Sequence, residues 1–363
     1  DSIVFRQADH HGGHTSASVV IARVVFWQGS VAIKAALIKV HLFYTHKLCG
    51  IGGRTTTRLR GRSVTIKSMA DDDNLPGRHH PTYKRHPATG WMLPKDDFPF
   101  SAFEDAMSYS PRDTDIFVMT YPKCGTTWVQ YMLYLLLQDL KPFSPGQKLG
   151  DFVPFIEKHG TNNLPDTSPR AIKTHMSFDI FPWSPKPRYI CVARNPKDCC
   201  VSLYHHVRGF ARYYHYEDGE FDDFFEDFME GQVDCCDYFD HLLSLWNRRD
   251  RPNVLFITYE ELSEDASRVA RRIVEHIRSL FTNSWDPDIG TLVARSSFSA
   301  MRAEDPSKWS SSRPEGMPAF IRRGVVGDWK NYLTAEQSRR MDVKFEKRLS
   351  GTGADNLWSD LSF

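Results

Sequence analysis

From Arg112 onward the chain alternates short apolar runs, rich in β-branched and aromatic residues, with longer stretches of helical spacing. Such alternation predicts parallel strands joined by helices. Asp115 to Tyr121 (DIFVMTY) reads as a buried strand, followed by a Gly turn and a helix from Thr126 to about Leu137. Arg170 to Thr174, Arg188 to Val192 (RYICV) and Asn253 to Tyr259 (NVLFITY) are three further strand candidates. Pro196 to Val207 predicts a helix opened by Asn195 or Pro196, since proline is tolerated where the first N–H has no partner. Helical spacing recurs over Asp240 to Asn247 and Glu264 to Leu280. Thr334 to Leu349 predicts a terminal helix with a Thr cap and Gln337 three residues on. Asp305 to Pro318, rich in Ser, Pro and Gly, reads as a long loop or lid. No internal repeat or linker divides the body, so the pattern predicts one α/β domain: a central parallel β-sheet flanked by helices.

Composition changes this picture mainly at the N-terminus. The 363 residues are 41% hydrophobic and 25% charged, with a net charge of +1. Residues 1 to 68 carry ten Lys/Arg against Asp1 and Asp9 alone, which leaves the remainder net acidic. An acidic body argues against nucleic acid as a partner, so an anion bound there must be held by a few placed groups. In the first 68 residues Arg23, Lys34 and Lys39 interrupt every apolar stretch long enough to span a bilayer, and no membrane partner is expected. Met69 opens the acidic stretch Met69-Ala-Asp-Asp-Asp. Residues 69 to 363 are therefore read as the domain, and 1 to 68 as a disordered or non-native extension, with a transit peptide as the second reading. Seven cysteines, an odd number without C-x-x-C spacing, predict neither a disulfide scaffold nor a metal site, and suit the cytoplasm.

The densest chemistry lies in Thr120-Tyr121-Pro122-Lys123-Cys124-Gly125-Thr126-Thr127-Trp128, between the first strand and its helix. Free N–H groups at a helix N-terminus, a glycine, a lysine and two hydroxyls form a phosphate cradle. Lys123 precedes the single Gly125, whereas a Walker sequence places its lysine after the second glycine. A histidine after a strand, as in Lys173-Thr174-His175, is by itself more often structural than catalytic. Lys173 and the phosphate loop reverse that preference. Arg194 in Val192-Ala193-Arg194-Asn195-Pro196-Lys197-Asp198 offers a fork of donors, and Ser202 a hydroxyl one turn into a helix.

Taken together these motifs resemble the cytosolic sulfotransferase family, whose phosphosulfate loop reads TYPKSGTTW and whose later signatures read KTH, VARNPKDVxVSYYH, YED, TSFxxM and FMRKGxxGDWKN. Cys124 stands for the usual Ser and Arg323 for a Lys. The resemblance covers about Pro81 to Gly351 and implies 3′-phosphoadenosine 5′-phosphosulfate (PAPS) as donor, its 3′,5′-bisphosphate (PAP) as product, and no metal. It implies His175 as the base, with Lys123 and Lys173 stabilising the bridging oxygen and the sulfuryl group. The 5′-phosphate would be held by Lys123 to Thr127, including Cys124 and Gly125. Trp128, Tyr259, Ser296, Ser297, Phe298 and Met301 would line adenine; Arg194, Ser202, Arg322, Arg323 and Gly324, with Phe320 and Ile321 beside them, would complete the 3′-phosphate site. The acceptor implied is a small, largely apolar phenol, catecholamine, steroid or alcohol, in a pocket for which Phe152, Phe155, Phe178, Phe181 and His206 are candidates; a core role is equally open for each. The family's dimer motif KxxxTVxxxE corresponds to Lys330 to Arg339, with Ala335 for Val and Arg339 for Glu, which implies a monomer or weak homodimer. Rival readings are a P-loop small-molecule kinase, a catalytically inactive nucleotide-binding relative, and a Golgi carbohydrate sulfotransferase, which would want an anchor helix and lumenal disulfides.

Overall fold

The computed structural model describes residues 78–304, 306–309, 317 and 319–359, together with the backbone of Ser2–Gln7, Ser18–Arg23, Thr55–Leu59 and Arg62–Ile66. The chain divides into two units, Asp1–Asp71 and Asp72–Phe363. In the first, Ser2–Gln7 pairs antiparallel with Ser18–Arg23, and Thr55–Leu59 with Arg62–Ile66. The remaining expectations for residues 1 to 68, and Met69 itself, lie outside the described residues, as does most of the Asp305 to Pro318 loop.

The second unit is built on four parallel strands: β1 (Asp115–Thr120), β2 (Arg170–Thr174), β3 (Arg188–Ala193) and β4 (Val254–Thr258), in the order β4-β3-β1-β2. Successive side chains of a strand point to opposite faces, and each strand here feeds two cores. Phe117, Met119, Ile172, Tyr189 and Cys191 join the core on one face, whereas Ile116, Val118, Ala171, Ile190 and Val192 join the other. A sheet buried on both sides needs apolar residues at nearly every position, which is why these strands read as continuous apolar runs.

Helix α1 (Thr126–Leu137) follows β1, and α2 (Pro196–Gly209) follows β3. Val129, Met132 and Leu133 of α1 pack on one core, while Cys199, Val201 and Leu203 of α2 pack on the other. Neighbouring strands β1 and β3 thus send their helices to opposite faces. Such a divergence opens a crevice at the carboxyl ends of the strands, where α/β folds bind ligands.

For the elements that the pattern names, strand and helix boundaries agree to within about two residues, but it gives no sign of the helices Phe100–Met107, Phe221–Glu230 and Ile289–Ser296. The helix expected over Glu264 to Leu280 begins as α4 (Ala266–Ile277), and a short separate helix that the pattern also does not give, α3 (Tyr259–Glu264), precedes it. Asp265 makes the break, because its carboxylate accepts from the Arg268 N–H at 2.8 Å and so caps α4. Beyond α4 lie α5 (Ile289–Ser296), α6 (Phe298–Ala303) and α7 (Ala335–Leu349). Thr334 and Gln337 form the expected reciprocal cap of α7. Buried Lys197 of α2 holds α7 by bonding Asp342 at 2.6 Å and Ser338 at 2.9 Å.

Because the second unit has its own two-sided core, a chain starting at Met69 is expected to unfold in urea with the cooperativity and midpoint of the full chain's main transition. A loss of that transition, followed by far-ultraviolet circular dichroism, would show that residues 1 to 68 complete the fold.

Candidate active site

All four strands deliver a functional loop to the same edge of the sheet. A cavity of about 280 Å³ opens there, and Lys123, Gly125, Thr126, Thr127 and Trp128 border it after β1. Lys173 near the end of β2 and His175 just after it border the cavity, as do Arg194 and Ser202 after β3 and Tyr259 after β4. Phe298, Met301, Phe320, Ile321, Arg322, Arg323 and Gly324 close it from the C-terminal third. The sequence separations are large, and the convergence is a product of the parallel sheet.

The β1–α1 loop owes its shape to two left-handed residues, Lys123 at φ +70° and Gly125 at φ +100°. Left-handed backbone at a lysine is strained, and such strain persists where surrounding structure imposes it. A side chain at Gly125 would sit 3.0 Å from the Tyr259 ring, and one at Gly324, φ +69°, would sit 2.3 Å from the Phe298 ring. Both glycines therefore let backbone approach the cavity. The helix N-terminus beyond Gly125 presents N–H groups without intrahelical acceptors.

His175 is buried, and its Nδ1 lies 2.8 Å from the carbonyl oxygen of Thr120. A carbonyl can only accept, so Nδ1 carries the proton and Nε2 keeps its lone pair. The backbone around it is fixed from both sides, with the His175 N–H donating to Glu157 Oε1 and the His175 carbonyl accepting from His241 Nε2 at 3.0 Å. Burial, aided by the nearby Lys173 charge, holds the imidazole pKa well below its ordinary value. Burial also lowers the Lys173 ammonium to about 8 and raises the Glu157 carboxyl to about 7. Their mutual attraction opposes both shifts, and desolvation wins. The Lys173 ammonium stands 3.8 Å from the Phe155 ring centroid, and that of Lys123 stands 4.4 Å from the Phe320 ring centroid.

A second group of cations lies toward α2. Arg194 is 7% exposed, and its guanidinium stacks 4.2 Å over the Tyr259 ring. Its terminal nitrogens donate to the Lys123 and Val325 carbonyls at 3.3 Å each, while the buried Nε has no partner. Asp328 holds Arg322 and Arg323, each at 2.6 Å, and Asp198 accepts from the Gly327 and Trp329 N–H groups at 2.6 and 3.0 Å. Two aspartates thus pin the arginine-bearing loop to α2. Glu260 accepts from the Asn195 N–H at 2.9 Å and from Trp358 Nε1 at 2.6 Å, fixing the start of α2 to α3. Trp128 and Tyr259 meet edge to face, with centroids 6.0 Å apart.

Some expected site residues are placed differently. Cys124 is fully buried behind the loop, its Sγ 3.8 Å from that of Cys199. Ser296 Oγ bonds the Leu292 carbonyl, and Ser297 caps α6 through the Ala300 N–H, so both hydroxyls are engaged away from the cavity lining. Among the acceptor candidates, Phe155 and His206 border the cavity. Phe178 and Phe181 instead pack in the core around Phe117 and Tyr189, and Phe152 packs against Tyr134. Phe98, Lys158, Phe210, Tyr213, Tyr214 and Asp234 take their places. No local motif marks these six residues, since they enter the cavity from helix ends and turns. Among the described residues there is no group of side chains that could hold a metal ion and no helix long and apolar enough to cross a membrane.

A glycine-hinged loop at the switch point of an α/β sheet, a buried histidine and two sets of cations together suit a nucleotide-dependent group transferase. The sulfotransferase domain profile matches residues 113–353. Human sulfotransferase 2B1 is 36% identical over 66% of this chain and 67% of its own length, and zebrafish (Danio rerio) sulfotransferase 6B1 is 31% identical over 82% and 95%. The chain belongs to the sulfotransferase family, as a PAPS-dependent enzyme. Its fold is shared with retinol dehydratase solved with androsterone and PAP (TM-score 0.63, 22% identity, 75% of this chain and 90% of that one). It is shared also with mouse sulfotransferase SULT7A1 solved with PAP (TM-score 0.59, 24% identity, 77% and 98%).

Gly125→Ala is expected to destabilise the second unit by about 1–2 kcal/mol, the cost of a left-handed non-glycine residue. Urea unfolding measures it. A neutral result would mean that the loop relaxes to ordinary φ values without cost.

Proposed function

We propose that the enzyme transfers a sulfuryl group from PAPS to the hydroxyl or amine of a small apolar acceptor, with His175 as general base. The observation that carries this reading is the Nδ1 to Thr120 carbonyl bond, which leaves Nε2 as an acceptor in a cavity shared with Lys123 and Lys173. Lowered basicity keeps the imidazole neutral at physiological pH, the form a base must take before the reaction. The bound donor supplies the sulfuryl group and a phosphate leaving group. Lys123 and Lys173 supply positive charge where negative charge grows on that phosphate. The 5′-phosphate is assigned to Gly125, Thr126 and Thr127, and the adenine to Trp128, Tyr259, Phe298 and Met301. Ser296 and Ser297 support that wall from behind, and Cys124 supports the loop.

The residues present fit a 3′-phosphate. A buried guanidinium with an unpartnered Nε is unfavourable unless an anion joins it, and Arg194 sits beside Ser202, Arg322, Arg323 and Gly324 on the same cavity wall. A kinase would have no use for that second cation group. The six described cysteines are free thiols, which suits the cytosol. We further propose a monomer or weak dimer, because Arg339 is paired with Glu336 of its own helix at 2.7 Å.

His175→Ala should lower kcat about 10²- to 10⁴-fold while PAP binding persists. Arg194→Ala should instead weaken PAP by roughly 1.5–3 kcal/mol, about ten- to a hundredfold, and leave the affinity for the 3′-dephosphorylated nucleotide nearly unchanged. Calorimetry with both nucleotides separates the two effects. Equal affinity of the wild-type protein for both nucleotides would refute the 3′-phosphate assignment.

The pH profile gives an independent check. With an aliphatic alcohol acceptor, the acid limb should lie well below pH 6.5, the value of a free imidazole, and activity should fall above about pH 8 as Lys173 loses its proton. Lys173→Arg should extend the plateau upward. A profile unchanged by that substitution would remove Lys173 from the alkaline limb.

A further inference from the structure

The acceptor end of the cavity contains a carboxylate that the transfer chemistry does not use. Asp234 borders the same cavity as His175 and Lys173 and is 7% exposed. It accepts from the Tyr214 hydroxyl at 2.8 Å and from the Cys235 thiol at 3.5 Å, and both donors are neutral. Among the described residues no cation forms an ion pair with it; the Lys173 ammonium is near enough to lower its pKa, but burial outweighs that attraction. Burial raises its pKa to about 6, so it is ionised at neutral pH despite its surroundings.

The backbone carries a second sign. Cys235 and Cys236, the two residues after Asp234, both take left-handed φ values of +63° and +66°. The Cys235 N–H donates to the Met92 carbonyl at 3.1 Å and the Cys236 N–H to the Val233 carbonyl at 2.9 Å, which hold the turn in place. Two consecutive left-handed non-glycine residues are strained, and such strain concentrates at ligand sites. Tyr214 touches Asp234, and the aromatic residues Phe98, Phe155, Phe210 and Tyr213 border the same cavity, where they suit a flat ring and also favour a cation over their faces.

We propose that Asp234 is a specificity residue that binds the ammonium group of an aryl acceptor carrying both a phenolic hydroxyl and a protonated amine. The proposal deepens the sulfotransferase reading and rests on it. His175 takes the proton from the phenol, and Asp234 pairs with the amine at the other end of the ring. A buried carboxylate that Lys173 compensates only in part is costly, and a direct ion pair with an ammonium group reduces that cost, whereas a neutral acceptor leaves it in place. Two lysines, Lys158 and Lys173, also border this part of the cavity, and Lys158 does not call for an acidic acceptor. Its ammonium donates to the Tyr213 hydroxyl at 3.1 Å and stands 4.7 and 5.1 Å from the Tyr213 and Phe98 ring centroids.

Three acceptors of one skeleton test the assignment on the wild-type enzyme: tyramine, 4-ethylphenol and 3-(4-hydroxyphenyl)propionate, with PAPS as donor at pH 7.5. Tyramine is expected to exceed 4-ethylphenol at least tenfold in kcat/KM, chiefly through KM, and the acid to be the poorest. Asp234→Asn should bring the tyramine to 4-ethylphenol ratio close to one, with thermal unfolding and PAP binding confirming that the variant is folded. Transfer to 4-ethylphenol with a wild-type ratio near one, or a preference for the acid, overturns the proposal and leaves the sulfotransferase reading standing. Equal losses for both phenols in Asp234→Asn overturn it also, since they assign Asp234 a structural role. Absence of transfer to all three overturns the phenolic-amine proposal, and an aliphatic alcohol acceptor assayed beside them reports separately on the sulfotransferase reading.

Discussion

Positive charge gathered in a buried place is the constraint around which this enzyme is arranged. Lys123, Lys173, Arg194 and Arg322 border one cavity at the carboxyl edge of a sheet buried on both faces. Like charges in a low dielectric repel, and each loses hydration on burial. Lys173 registers the strain directly in its lowered pKa. The protein answers with groups placed behind the cations: Glu157 near Lys173, Asp328 under Arg322 and Arg323, and aromatic faces under Lys123, Lys173 and Arg194. The compensation is partial. An incoming polyanion completes it, and binding and fold stability are coupled for that reason.

The carboxylates that support these cations also assemble the site mechanically. Asp198 and Glu260 each accept two donors from segments far apart in the chain, and together they join α2 to the arginine loop, to α3 and to Trp358. His175 is fixed in the same manner, by a carbonyl on β1, a carboxylate at Glu157 and a histidine at 241. The proposed base and the arginine loop are therefore positioned by bonds to neighbouring strands and helices, and little is left to the loops that carry them. Preorganisation of this kind is the main source of rate in group transfer through a diffuse, charged transition state.

Much of the fold was legible in the sequence because a parallel sheet with both faces covered writes itself as apolar runs, and each such run fell on a strand. The helix starts were legible too, where a capping residue was present: Asn195 with Pro196, and Thr334 with Gln337. The short helix Tyr259–Glu264 escaped notice because it is too brief to show helical spacing, and the Asp265 cap moved the start of the next helix only from Glu264 to Ala266. The phosphate loop, Lys173, His175 and Arg194 were legible for a chemical reason. Each belongs to a short run in which several residues of one loop act together, and such runs survive as local signatures.

By itself the sequence determined the alternation of strands and helices, the anion loop and the identity of the transferred group's donor class, because those depend on neighbours in the chain. Only the tertiary structure decided the tautomer of His175, which depends on a carbonyl 55 residues away on another strand. It also decided which of the candidate aromatic residues border the cavity: Phe155 and His206 do, while Phe178 and Phe181 turn into the core. Asp234 gave no signal in the sequence, because a lone aspartate between two apolar residues is indistinguishable from a turn. Its meaning comes from burial beside a cavity, and burial is a property of the packed chain, set by residues that converge from four strands.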